Sequence, residues 1–86
     1  MIAIDGVMKI NCVNGTSKAM LLIIEPWAEE YWLESGVSVD IVGCGGAVDG
    51  NFEVEYFDGG VIFYGWEGSV VSVFSNGVEV VPSRQD

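Results

Sequence analysis

Histidine is absent from this chain of 86 residues, and bases are nearly so: three Lys and Arg stand against thirteen acids, for a formal net charge of −10. Without histidine the Ser-His and Cys-His nucleophile pairs cannot be assembled. The bases are Lys9, Lys18 and Arg84, so none stands between Ala19 and Ser83 to pair with the eleven acids there. Phosphate backbones and anionic membrane surfaces are held chiefly through Lys and Arg, which argues against nucleic-acid and membrane partners. The net charge predicts instead a soluble, self-repelling surface on a small apolar domain.

Cysteine and proline are scarce, with two of each. Cys12 and Cys44 fit no zinc-ligand spacing and are too few for a disulfide framework, so they read as free thiols in a reducing compartment. The apolar run Ala19–Ile24 is far shorter than the roughly 20 residues a membrane-spanning helix needs. Met1–Gly6 carries no basic n-region, no apolar h-region and no small-residue cleavage site, which predicts a cytoplasmic protein.

What the chain has in abundance is apolar side chains and turns. Half of its residues are hydrophobic, enough to offset the entropy of ordering a single domain over 1–86. Turn signals recur at Asp5-Gly6, Asn14-Gly15, Ser35-Gly36, Gly43 to Gly46, Asp49-Gly50, Asp58-Gly59, Glu67-Gly68 and Asn76-Gly77. The segments between them are too short for helices and rich in Val, Ile, Phe and Tyr, which predicts an all-β fold, a small antiparallel β-barrel or β-sandwich. Seven or eight strands are expected near 7–13, 18–25, 30–33, 37–42, 51–57, 60–66, 69–75 and 78–81. One helical turn could fit between Pro26 and Tyr31, since Pro tolerates the first helical position.

The second half reads as a meander of sequentially paired strands. An Asn76-Gly77 hairpin sets Val73 opposite Val80 and Phe74 opposite Glu79. An Asp58-Gly59 turn sets Val54 opposite Phe63 and Tyr56 opposite Val61. With Glu67-Gly68 as the intervening turn, one face carries Phe52, Val54, Tyr56, Val61, Phe63, Val70 and Phe74. The other carries Glu53 and Glu55 at its start and then Ile62, Tyr64, Trp66, Val71, Val73, Val78 and Val80, so both faces of the central strands are apolar and the second needs a cover. A two-fold homodimer is the simplest such cover.

The candidate binding residues are Trp27, Glu29, Glu30, Tyr31, Trp32, Tyr64 and Trp66. Aromatics with polar tips beside unpaired acids suit an interface or a sugar- or cation-binding surface, and they suit plain packing at a sheet edge equally well. No catalytic residue, metal ligand or cofactor site is expected. Glu25, Glu29 and Glu30 offer hard oxygen ligands, but no loop has a calcium-binding spacing. Glu53 and Glu55, two apart on one strand, could serve as acid and base only with a partner carboxylate across a cleft. Cys44 reads as a small residue beside a flexible turn, with no base to lower its pKa. The stretch Gly43-x-Gly45-Gly46 lacks the Lys and following helix of a phosphate cradle.

The segment from Glu25-Pro26-Trp27 through Glu30-Tyr31 to Leu33-Glu34-Ser35-Gly36, with Phe52–Tyr56 and Tyr64–Ser69, resembles a set of small uncharacterised bacterial proteins. They share a Glu-Pro-Trp, Glu-Tyr, Leu-x-x-Gly pattern and a short β-meander. The likeness spans roughly residues 20–80 and implies a reduced cupin-like barrel. Cupin metal sites are built on histidines, so for this chain the resemblance implies a fold rather than a metal chemistry. The expected function is a non-enzymatic binding or protein-interaction module that self-associates. The alternative is a small-molecule- or cation-binding cupin-like barrel using the same residues from inside a pocket.

Overall fold

The computed structural model describes residues 7–83; the Asp5-Gly6 turn and Arg84 lie outside them. Eight strands follow in chain order: β1 (Met8–Val13), β2 (Met20–Glu25), β3 (Glu29–Leu33), β4 (Ser38–Gly45), β5 (Glu53–Phe57), β6 (Gly60–Tyr64), β7 (Ser69–Ser75) and β8 (Val78–Glu79). They form two four-stranded sheets, in the orders β1-β4-β7-β8 and β3-β2-β6-β5. The chain is an all-β sandwich: the two sheets do not close into a barrel.

Alternation decides which residues meet between the sheets. Leu22 and Ile24 of β2, Tyr31 and Leu33 of β3, Val39 and Ile41 of β4, Val61 and Phe63 of β6, and Val71 and Val73 of β7 form one buried core. Each pair is spaced by two, as a strand with one face inward requires. Strand β2 departs from simple alternation because it is a central strand. It pairs antiparallel with β3 and parallel with β6, and its run Met20–Ile24 is apolar on both faces.

Two hairpins form in the expected register. Val54 pairs with Phe63 and Tyr56 with Val61 across Asp58-Gly59. Phe74 pairs with Glu79 across Asn76-Gly77, and the Val80 N–H donates to the Val73 carbonyl at 2.8 Å. Asn76 and Gly77 both have positive φ, 51° and 80°, the condition a type I′ turn imposes.

The Glu67-Gly68 segment is not a hairpin. It carries the chain from β6 in one sheet to β7 in the other, where β7 pairs with β4. Val71 and Val73 therefore point into the core and Val70 is exposed, which shifts the expected face assignment of β7 by one residue. The two-faced apolar meander does not exist as one sheet, because β6 and β7 bury their inner faces in a shared core. Pro26–Ala28 forms a turn rather than a helical turn, closed by the Glu25 carboxylate accepting from the Ala28 N–H at 3.1 Å.

Candidate functional site

The seven candidate residues do not converge; the fold divides them among three environments. On β3 the alternation sends Glu29 and Tyr31 inward and Glu30 and Trp32 outward. Tyr31 is 4% exposed and belongs to the core, with its hydroxyl donating to Glu29 Oε1 at 3.2 Å. Burial, reinforced by the Glu29 charge, pushes the Tyr31 phenol well above its ordinary range. These two residues border a cleft of about 300 Å³ with Val71, Glu79, Val80 and Pro82.

Trp27 and Trp66 close one end of the sandwich. Trp27 packs against the core beside Gly65. The Trp66 ring is held against Gly43 and Gly50, leaving no room for a side chain at either position. Its Nε1 donates to the Gly45 carbonyl at 2.8 Å, and Phe52 meets it edge-on at 5.2 Å between ring centroids. The glycine run is thus a packing device. Gly43 makes room for Phe52 and Trp66, and Gly46 lets the chain lie against the backbone of Glu67–Ser69.

Trp32, Glu30 and Tyr64 are the three that share a surface, the outer face of β3-β2-β6-β5. The registers place them in rows. Trp32 pairs with Leu21 and Leu21 with Gly60, whose partner on the other side is Phe57. The Phe57 ring lies over Gly60, so an aromatic fills the space the glycine leaves. The next row reads Glu30, Ile23, Ile62, Glu55, and the last Glu25, Tyr64, Glu53. An apolar patch of Trp32, Leu21, Phe57, Ile23 and Ile62 is therefore framed along part of its edge, by Glu30 and Glu55 beside Ile23 and Ile62 and by Glu25 and Glu53 in the last row, with Trp32 and Phe57 at the opposite end on the edge strands; none of the four strands carries a base. Trp32 is 57% exposed.

Tyr64 is bound into this frame. Its hydroxyl donates to Glu55 Oε1 at 2.6 Å, and that hydrogen bond leads the causes holding the phenol above its ordinary pKa. Glu53 and Glu55 lie on a sheet face rather than across a cleft from a third carboxylate. Among the described residues no three His, Cys, Asp or Glu side chains come together as a metal-binding group. Cys44 is exposed, and Cys12 is half-buried with its thiol pushed up by burial. Among the described residues no helix is long and apolar enough to cross a membrane.

The sequence reading placed Ile62 with Tyr64 on a face in need of a cover but missed Leu21, Ile23 and Phe57 as members of this surface. A signal for two of them was present: a strand apolar on both faces must cover something outside its own core. The sequence reading also missed Asn14, which is fully buried. Its Nδ2 donates to the carbonyls of Lys18 and Leu33, and its Oδ1 accepts from the N–H and hydroxyl of Thr16.

Comparison with protein-family models, with curated proteins and with solved structures finds no match for this chain.

Proposed function

We propose that this chain is a non-enzymatic protein-interaction module that docks a partner on the outer face of β3-β2-β6-β5. The observation that carries this reading is the apolar patch of Leu21, Ile23, Trp32, Phe57 and Ile62, bordered on one side by Glu25, Glu30, Glu53 and Glu55 with no base among them. Aromatic anchors in an apolar centre with a polar rim are the anatomy of a protein interface. The sign of the rim selects a partner edged with Lys or Arg. The reading also holds that the chain self-associates. It places the module in a cytoplasmic, reducing setting, where Cys12 and Cys44 stay free thiols.

A ligand held between the sheets is the less favoured alternative, because Leu22, Ile24, Ile41, Val61 and Val73 fill that space. The test is titration of ¹⁵N-labelled protein with two synthetic amphipathic peptides, alike in apolar residues, one bearing Lys and Arg and the other Glu. The basic peptide is expected to shift amides centred on Leu21, Ile23, Trp32 and Ile62, more strongly at low salt and less in Trp32→Ala. Shifts centred elsewhere, or equal responses to both peptides, overturn the reading.

A further inference from the structure

We infer that a second copy of this chain docks edge to edge on the open side of the sandwich, between β1 and β5, about a two-fold axis running along the strands. This rests on the self-associating part of the reading above and names the surface it uses.

β1 is the outermost strand of its sheet and β5 of the other, so on this side both edges present backbone groups not used in the ladders. All five residues of β5 are exposed. They include Val54 and Tyr56, at 41% and 82%, which stand on the same face of their sheet as the buried Val61 and Phe63 that they pair with. A groove of about 270 Å³ runs along this side of the filled core, bordered by Ile10, Cys12, Val54, Tyr56, Val61 and Phe63. Exposed strand edges beside uncovered apolar residues are the usual template for strand addition.

The two edges match one another, and β5 does not match itself. Met8 pairs with Gly43, and the space above Gly43 is filled by Phe52, the residue preceding β5, so β1 and β5 begin at the same level. In β1 the even residues Ile10 and Cys12 turn inward, and in β5 so do Val54 and Tyr56. A two-fold rotation about the strand direction sets β1 of one copy beside β5 of the other, twice, and continues each four-stranded sheet into eight strands. The inward rows then join Ile10 and Cys12 to Val54 and Tyr56 of the second copy.

The outward rows supply the charge complement. Lys9 is the one base on the eight strands. It faces outward on β1 at the level of Glu53 and Glu55 of the second copy. Pairing β5 with its own copy would set those carboxylates against each other, and stacking the outer faces of β3-β2-β6-β5 would bring eight together. Joining β1 to β5 is the arrangement that opposes a base to the acids.

Light scattering on the eluting protein, in buffer of physiological ionic strength, tests this with three variants. The unsubstituted chain is expected to have twice the 9.3 kDa chain mass. Lys9→Glu and, separately, Tyr56→Asp are expected to raise the dissociation constant at least tenfold. The swap Lys9→Glu with Glu53→Lys and Glu55→Lys is expected to restore the dimer. All four positions are exposed, and circular dichroism verifies that each variant folds. A monomer at hundreds of micromolar overturns self-association and this inference together. A dimer unmoved by both Lys9→Glu and Tyr56→Asp overturns this inference alone.

Discussion

The Asn14 side chain donates to the carbonyl of Leu33 at 2.9 Å, across the end of the sandwich where β1 of one sheet passes near β3 of the other. The same amide group donates to Lys18, and the backbone N–H and carbonyl of Asn14 bond to Val37 and Gly36. One fully buried residue thus ties the loop after β1 to the loop after β3.

Truncating that residue should be among the most costly single changes in the chain. Asn14→Ala leaves the Leu33 carbonyl without its buried donor and the Thr16 N–H without its side-chain acceptor. Each unmade buried hydrogen bond costs about 1–3 kcal/mol, and a loss of about 2–4 kcal/mol in total is expected. Asn14→Asp should do no better, because a carboxylate would turn acceptors toward the carbonyls of Lys18 and Leu33. Urea unfolding monitored by circular dichroism measures both. A loss under about 0.5 kcal/mol, the range of an ordinary surface change, contradicts the role given to this residue.

Gly43→Ala tests the closed end of the sandwich. A Cβ at this position would stand 2.7 Å from both Phe52 Cζ and Trp66 Cη2. Overpacking of this kind costs about 1–3 kcal/mol, because neighbouring rings must leave their rotamers. Gly36→Ala makes a useful contrast. Nothing stands near its Cβ, so its cost comes only from a positive φ of 80°. Gly43→Ala is expected to alter the near-ultraviolet dichroism of the tryptophans, and Gly36→Ala to leave it unchanged.

Gly43 also illustrates what could and could not be read from sequence. The hairpins at Asp58-Gly59 and Asn76-Gly77 were legible because their geometry is local: two residues with suitable φ fix the register of the strands on either side. The crossing at Gly65–Gly68 was not, since a short Gly-containing link reads as a hairpin whether or not its strands share a sheet. What redirects the chain is Trp66 seated against Gly43 and Gly50, a contact between residues distant in sequence. The parallel pairing of β2 with β6 is equally non-local. The apolar outer face was half legible: Trp32 and Tyr64 stood out as aromatics and Ile62 shared a face with Tyr64, whereas Leu21 and Ile23 join them only once the sheet order is known. Asn14 was hidden behind Gly15, because Asn-Gly is a strong hairpin signal. The six residues between β1 and β2, with Thr two after Asn, instead fit a loop organised by an Asn side chain.

The buried Tyr31 phenol sets a pH dependence with a definite sign. Its pKa is raised in the folded state, so the fold favours the protonated form. Below the unfolded value of about 10, both states hold the proton and stability is unaffected. As pH rises past that value, the unfolded chain releases the proton first and the folded state loses ground until the folded pKa is passed. Stability is therefore expected to fall more steeply between about pH 10 and 11.5 in the unsubstituted chain than in Tyr31→Phe. Urea midpoints across that range give the comparison. Parallel curves would mean that ionisation of Tyr31 is not opposed by its burial.

Neighbouring residues on β3 should respond to truncation in opposite order to their size. Leu33 is 4% exposed and Trp32 57%, because successive strand residues face opposite sides. Leu33→Ala opens a cavity in the core and is expected to cost about 2–4 kcal/mol. Trp32→Ala removes a larger side chain but leaves no enclosed void, so its cost is expected to stay below about 1 kcal/mol. What Trp32→Ala should reduce is affinity for a basic amphipathic peptide, since tryptophans are among the side chains that carry most of an interface's energy. Urea unfolding and peptide titration on the same two variants separate the roles. If Trp32→Ala destabilises the fold as much as Leu33→Ala, the tryptophan is a packing residue and the outer face loses its most exposed aromatic anchor.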